Sequence, residues 1–295
     1  MEFADPKSDI AFKKLFADQK HSCILISFLN SILQKKDGEK ILQVKISDPN
    51  NQPLALEYKL SIVDVRCTDE QGKHYIVEMQ VAAQRDFFSQ VQYYSALALS
   101  RQLKKGWEYR KLKSIISVNV VDFKLNTDSK EYLTHHLTID SSTGKQSLKL
   151  FEFHFIELSK FQKKLSQLKT IEDKWIYLLK NAAKMEAKPK SLSQEEEIEH
   201  ALQILNMATW SDKEHENYEK FLDAERVVKD VRETAIAKAN AQGLEKGREE
   251  GREEGHAKAM IKIARNMLKS GMSKKEISKI TGLTDTQLKN IKGKS

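Results

Sequence analysis

The stretch DVRCTDEQGKHYIVEMQ, residues 64–80, decides the fold. Apolar residues crowd both of its ends: Ile62, Val63 and Val65 on one side, Tyr75, Ile76, Val77 and Met79 on the other. The polar centre CTDEQG (67–72) closes on Gly72, a turn signal. The pattern predicts two antiparallel strands, 59–66 and 73–82, which bring the carboxylates of Asp64 and Glu78 across from each other. Gln80 stands two residues beyond Glu78 and so on the same sheet face. Two acids on neighbouring strands suit a divalent cation that keeps water in its remaining positions. The same spacing also fits two solvent-facing acids of a half-exposed sheet.

Outward from the hairpin, periodicity sets the remaining order. A short helix is expected over 9–17, behind Pro6 and a Ser8/Asp9 cap, and a second over 22–34 with Ile24, Leu25, Phe28, Leu29, Ile32 and Leu33 as its buried stripe. Period-two alternation predicts a strand over 41–46. Beyond the hairpin a helix is expected over 86–105, stopped by Gly106, then a strand over 112–121 and two weaker strands, 133–139 and 150–156. From Glu157 the strand signals stop. Capping boxes at Ser193/Glu196 and Ser211/Glu214 mark helices over 158–239. The reading is an α/β core over 1–157 (helix, three strands, helix, strand) followed by an all-α region.

Residues 240–256, NAQGLEKGREEGREEGH, space Gly243, Gly247, Gly251 and Gly255 four apart. An interior glycine costs a helix ~1 kcal/mol, whereas the flanking Glu and Arg favour one. The stretch is either a charged helix whose glycine stripe seats a second copy of the chain, giving a homodimer, or a solvated linker.

Charge singles out the C-terminal segment. Residues 257–295 carry ten basic and two acidic residues, a surplus equal to the whole-chain net charge of +8. The excess is therefore confined to one terminal module, and a polyanion is its natural partner. Ser273/Glu276 and Thr284/Gln287 open two short helices around Thr281-Gly282-Leu283, a helix-turn-helix pattern with Ile277, Ile280, Leu283, Leu288 and Ile291 as its small core. Lys274, Lys275, Gln287, Lys289, Asn290 and Lys292 are the candidates for phosphate and base contacts with double-stranded DNA.

Composition removes several classes. With 31% charged residues and no apolar run near the ~18 residues of a spanning helix, no membrane segment is expected. The N-terminus lacks a signal-peptide pattern. The two cysteines, Cys23 and Cys67, make neither a disulfide scaffold nor a cysteine zinc site, and a cytoplasmic setting fits. P-loop, nucleophile-elbow and HExxH patterns do not occur. His135 and His136 have no ligand spacing with Asp64 or Glu78 and read as surface residues.

These motifs resemble the PD-(D/E)XK nuclease superfamily, and within it the bacterial recombination-promoting nuclease group labelled transposases. DPKSDIAFKKLFAD (5–18) is similar to that group's N-terminal signature, FLNSIL (28–33) to its second helix, and DVRCTDEQGKHYIVEMQ to its active-site hairpin, ending in E-M-Q. YYSALALSRQLKKGWEYRKLKSIISVNVVDF (93–123) and the tail 263–291 resemble its later segments. The resemblance implies a restriction-endonuclease-like core, αβββαβ, with a mixed central sheet flanked by helices. It implies a DNA endonuclease dependent on Mg²⁺ or Mn²⁺, linked to recombination or transposition. Asp64 and Glu78 take the metal-binding positions, and Gln80 stands where the wider superfamily has a lysine. Asp9 takes the place of a first-helix acid, and Tyr93 and Tyr94 that of the group's paired tyrosines. Gln90 sits where relatives carry a basic residue. The alternatives are a non-catalytic DNA-binding protein on a degenerate nuclease fold, and a self-associating interaction protein.

Overall fold

The computed structural model describes residues 2–47, 65–103, 106–125 and 128–292. Asp64 and the rest of the expected strand 59–64 lie outside the described residues. The chain forms two compact units, Met1–Leu222 and Asp223–Ser295.

The first unit is built on one six-stranded mixed sheet in the order β1-β2-β3-β4-β6-β5. The strands are β1 (Val44–Ile46), β2 (Val65–Asp69), β3 (His74–Gln80), β4 (Ile115–Val121), β5 (Leu133–Leu137) and β6 (Phe151–Glu157). β1, β2 and β3 pair antiparallel, β3, β4 and β6 parallel, and β5 returns antiparallel on β6. The parallel step from β3 to β4 needs a crossover, and α3 (Phe87–Ser100) supplies it.

The hairpin is tighter than the sequence suggests. Cys67, Thr68 and Asp69 are strand residues, with Val65 opposite Val77 and Cys67 opposite Tyr75. The alternation explains this: Val65, Cys67 and Asp69 are buried while Arg66 and Thr68 are only partly so, and ending the strand at Arg66 would leave Cys67 outside the core. The turn closes with the Asp69 carbonyl accepting from Gly72 N–H at 3.0 Å, and Gly72 takes a φ of +82°, where a side chain would be strained.

One sheet face is covered by α1 (Asp9–Phe16), α2 (Ser22–Ile32), α4 (Ile171–Asn181) and α5 (Glu196–Leu205), which share one apolar core with Val65, Cys67, Tyr75, Val77, Ile116, Val118, Val120 and Ile156. The Ser8 hydroxyl caps α1 by accepting from Ala11 N–H at 3.2 Å. Trp175 of α4, fully buried, packs near Phe16 and Phe28 and donates to Ser27 Oγ at 3.2 Å. α5 starts behind Glu195 without a side-chain cap, so the expected Ser193/Glu196 box does not form. The opposite face carries α3, which packs Phe87 and Val91 on Val121 and Phe155, and Tyr94, Ala98 and Leu99 near Ile76 and Ile115.

α6 (Asp212–Lys269) is helical throughout, the 240–256 stretch included. Its start bears the expected Ser211/Glu214 contacts, with the Ser211 N–H donating to Glu214 Oε2 at 2.8 Å. A Cβ on any of the four glycines would meet nothing within 4 Å, so no described residue of the chain seats on that stripe.

In the second unit, the end of α6, α7 (Lys274–Thr281) and α8 (Asp285–Lys292) close on Ala264, Ile277 and Leu288, with Met267, Leu268, Met272 and Leu283 around them. The Ser273/Glu276 box forms, and Gly282 caps α7 at φ +71°. Ile280, expected in this core, is 56% exposed. Ala264, Met267 and Leu268 belong to the helix that the sequence places ahead of the pair, stopped at Ser270-Gly271, and they join this core.

Candidate active site

Alternation along β2 and β3 sorts the side chains. Arg66 pairs with Ile76, so Arg66, Ile76, Glu78 and Gln80 share the face covered by α3, while Tyr75, Val77 and Met79 turn to the main core. Glu78 and Gln80 are half-buried and lie beside Asn119 and Val121 of β4. Beneath them Asn119, fully buried, donates to Ser117 Oγ at 3.1 Å and to the His154 carbonyl at 3.2 Å, which satisfies a polar floor under the site. From α3, Gln90 Nε2 donates to Tyr94 Oη at 3.1 Å.

The electrostatics of this face involve two arginines absent from the sequence-based expectations. Burial, and then the Arg101 cation, press Arg66 below the usual arginine range, while Glu78 and Tyr94 act in the opposite sense. Glu78, Arg66, Arg101 and Tyr94 are thus electrical neighbours on one face. Arg66 was within reach of the sequence, since it stands two residues after Asp64 in the expected strand 59–66. Arg101, in the turn after α3, carries no local signal.

The structure separates the expected residues. Glu78 and Gln80 share the α3-covered face by strand alternation, and Gln80 Nε2 donates to the Ala82 carbonyl at 3.1 Å. Tyr94 faces the sheet in the α3 cluster, whereas Tyr93 is 42% exposed. Asp9 stands on α1, in the layer on the other face of the sheet, and its carboxylate pairs with Lys13 at 2.7 Å. It lines an open cleft with Lys14, Glu214 and Phe221 rather than the Glu78 face. His136 is exposed and contacts Thr134 Oγ1 at 3.2 Å. Glu78 offers carboxylate oxygens, hard donors of the type that Mg²⁺ or Mn²⁺ takes, with the Gln80 amide beside it on the same strand.

In the second unit Lys275, Gln287, Lys289 and Asn290 are exposed and Lys274 is half-buried; Lys292 belongs to α8, and its side chain lies outside those described. Gln287 is partly committed to capping, because its Oε1 accepts from Thr284 N–H at 2.8 Å.

Residues 6–235 match the family model of the PD-(D/E)XK nuclease family transposases, and residues 257–293 match that of the C-terminal HTH domain of the Rpn/YhgA-like nuclease family. The first match spans most of the chain. The protein belongs to the PD-(D/E)XK nuclease family transposases, with a helix-turn-helix domain of the Rpn/YhgA-like nucleases at its C-terminal end. No curated protein and no solved structure matches the chain. Among the described residues no helix is long and apolar enough to cross a membrane.

Proposed function

We propose that the chain is a metal-dependent DNA endonuclease that hydrolyses phosphodiester bonds on the α3-covered face, with its helix-turn-helix holding double-stranded DNA. The observation that carries the reading is the register of the hairpin. β2 and β3 are paired up to Val65 opposite Val77, so one further step of the same pairing would set Asp64 opposite Glu78. Asp64 and Glu78 would hold Mg²⁺ or Mn²⁺, which when bound polarises the phosphoryl oxygen and makes water a nucleophile at neutral pH. Gln80 would orient that water by hydrogen bonding, without the charge a lysine brings there. Arg66 and Arg101 supply positive charge on the same face and take over part of the missing lysine's electrostatic role. In the second unit Lys274, Lys275, Lys289 and Lys292 would neutralise phosphates, with Gln287 and Asn290 nearest the base edges. Self-association would run through the glycine stripe of α6; sedimentation of the full chain as a monomer would remove that part.

Plasmid cleavage with added Mg²⁺ or Mn²⁺, compared with Asp64→Ala, tests the reading. Loss of cleavage in the variant with DNA binding retained supports it. DNA binding without cleavage by the unaltered chain would leave a non-catalytic DNA-binding protein, a reading favoured by the neutral Gln80.

A further inference from the structure

On the sheet face opposite Glu78 and Gln80, at the β5–β6 edge, lies a second cluster. His135 and His154 are direct cross-strand partners, and Glu152 precedes His154 by two residues, so all three side chains leave the sheet on one side. The two imidazoles stack with ring centroids 4.1 Å apart, tilted by 13°. His135 Nε2 and His154 Nε2 lie 3.8 and 3.9 Å from the same carboxylate oxygen, Glu152 Oε2. One ligand atom from each residue lies within 4.8 Å of the others.

These separations are too long for hydrogen bonds and close to those around a shared ion. Zinc bonds of ~2.0–2.1 Å at tetrahedral angles put neighbouring donors roughly 3.3 Å apart, so the two His–Glu152 separations would contract by about half an ångström and the stacked rings would turn to aim both Nε2 atoms at one ion. A second observation points the same way. His154 is 5% exposed, and its Nε2 has no hydrogen-bond partner among the described residues. A buried unpaired ring nitrogen is costly, and a metal ion would satisfy it.

We propose that His135 Nε2, Glu152 Oε2 and His154 Nε2 form a divalent metal site of the zinc class that pins edge strand β5 to β6. Two imidazoles and one carboxylate select a borderline ion such as Zn²⁺ over Mg²⁺, and three protein ligands leave a position for water on the side where His135 is exposed. The site shares no residue with the nuclease face and stands whether or not that face cleaves DNA.

The test is calorimetric titration of Zn²⁺ into the full chain, stripped by chelation, with the thermal midpoint recorded beside it. The expected result is a saturable site that raises the midpoint, weakened at least about tenfold in His135→Ala and in Glu152→Gln, with the midpoint shift lost. His135 is exposed and Glu152 half-exposed, so both variants should keep the unaltered circular dichroism spectrum. Equal zinc affinity in His135→Ala and the unaltered chain, or no zinc binding at all, would overturn the proposal.

Discussion

Leu288→Ala should unfold the helix-turn-helix and leave the nuclease unit standing. Leu288 is fully buried, in a cluster whose members run only from Ala264 to Leu288. A buried Leu→Ala change costs about 3–5 kcal/mol through lost transfer energy and the cavity left behind. At about 0.05–0.15 kcal/mol per residue, a module of this length stores only roughly 2–5 kcal/mol. The truncation therefore consumes most or all of its stability. No described residue of Met1–Leu222 belongs to the cluster, so the melting transition of that unit should not move. Calorimetry of the full chain reads the two units, and fluorescence anisotropy with duplex DNA at several salt concentrations reads the interface. If four phosphates are neutralised, the unaltered chain should show a log–log salt slope of about −3.6. In the variant the slope should flatten. A lowered midpoint of the first unit, or an unchanged salt slope, would refute the reasoning.

Two smaller perturbations probe the frame that holds the site. The Glu214 carboxyl, held at about 2 by the Lys14 ammonium and then by the Ser211 backbone N–H, contributes stability above its ordinary value of 4.5. That contribution is lost as pH falls towards the folded-state value, so Glu214→Gln should flatten the acid limb of the stability–pH profile between those limits, measured by urea unfolding. Asp173, buried at the start of α4, accepts from Lys163 Nζ at 2.5 Å and from Lys169 N–H at 3.0 Å. Asp173→Ala should lower the unfolding free energy by about 2–3 kcal/mol in urea titration, and a loss below about half a kcal/mol would contradict the weight given to these hydrogen bonds.

Much of this frame was legible in the sequence because it is local. The switch from helical to period-two spacing located β3 and α3, and the capping boxes at Ser211, Ser273 and Thr284 located helix starts. Glu78 and Gln80 could be placed on one face because alternation needs no partner strand. The turn centre at Asp69 to Gly72 was legible, but the first strand runs three residues past Arg66: Cys67-Thr68-Asp69 has turn composition, whereas Cys67 is drawn into the strand by the core beneath it. Ile280 differs from its expected place in the core of the helix-turn-helix and is exposed, while Ala264, Met267 and Leu268 of the preceding helix close that core. Arg101 reaches the face by way of the turn after α3, and His154 joins His135 only through the antiparallel return of β5 on β6. Neither contact leaves a trace at fixed spacing. Asp9 shows the limit of position-by-position carry-over: its helix packs on the other face of the sheet.

The most direct measurement of the central claim is cleavage of supercoiled plasmid by the full chain, by Glu78→Gln and by Asp64→Asn, each with Mg²⁺, with Mn²⁺ and with chelator. A bound metal supplies several kcal/mol of transition-state stabilisation, and each 1.36 kcal/mol is tenfold in rate. Nicking should therefore need the cation and fall at least about a hundredfold in either variant, with circular dichroism unchanged. Cleavage that persists in chelator, or at the full rate in both variants, would contradict the account.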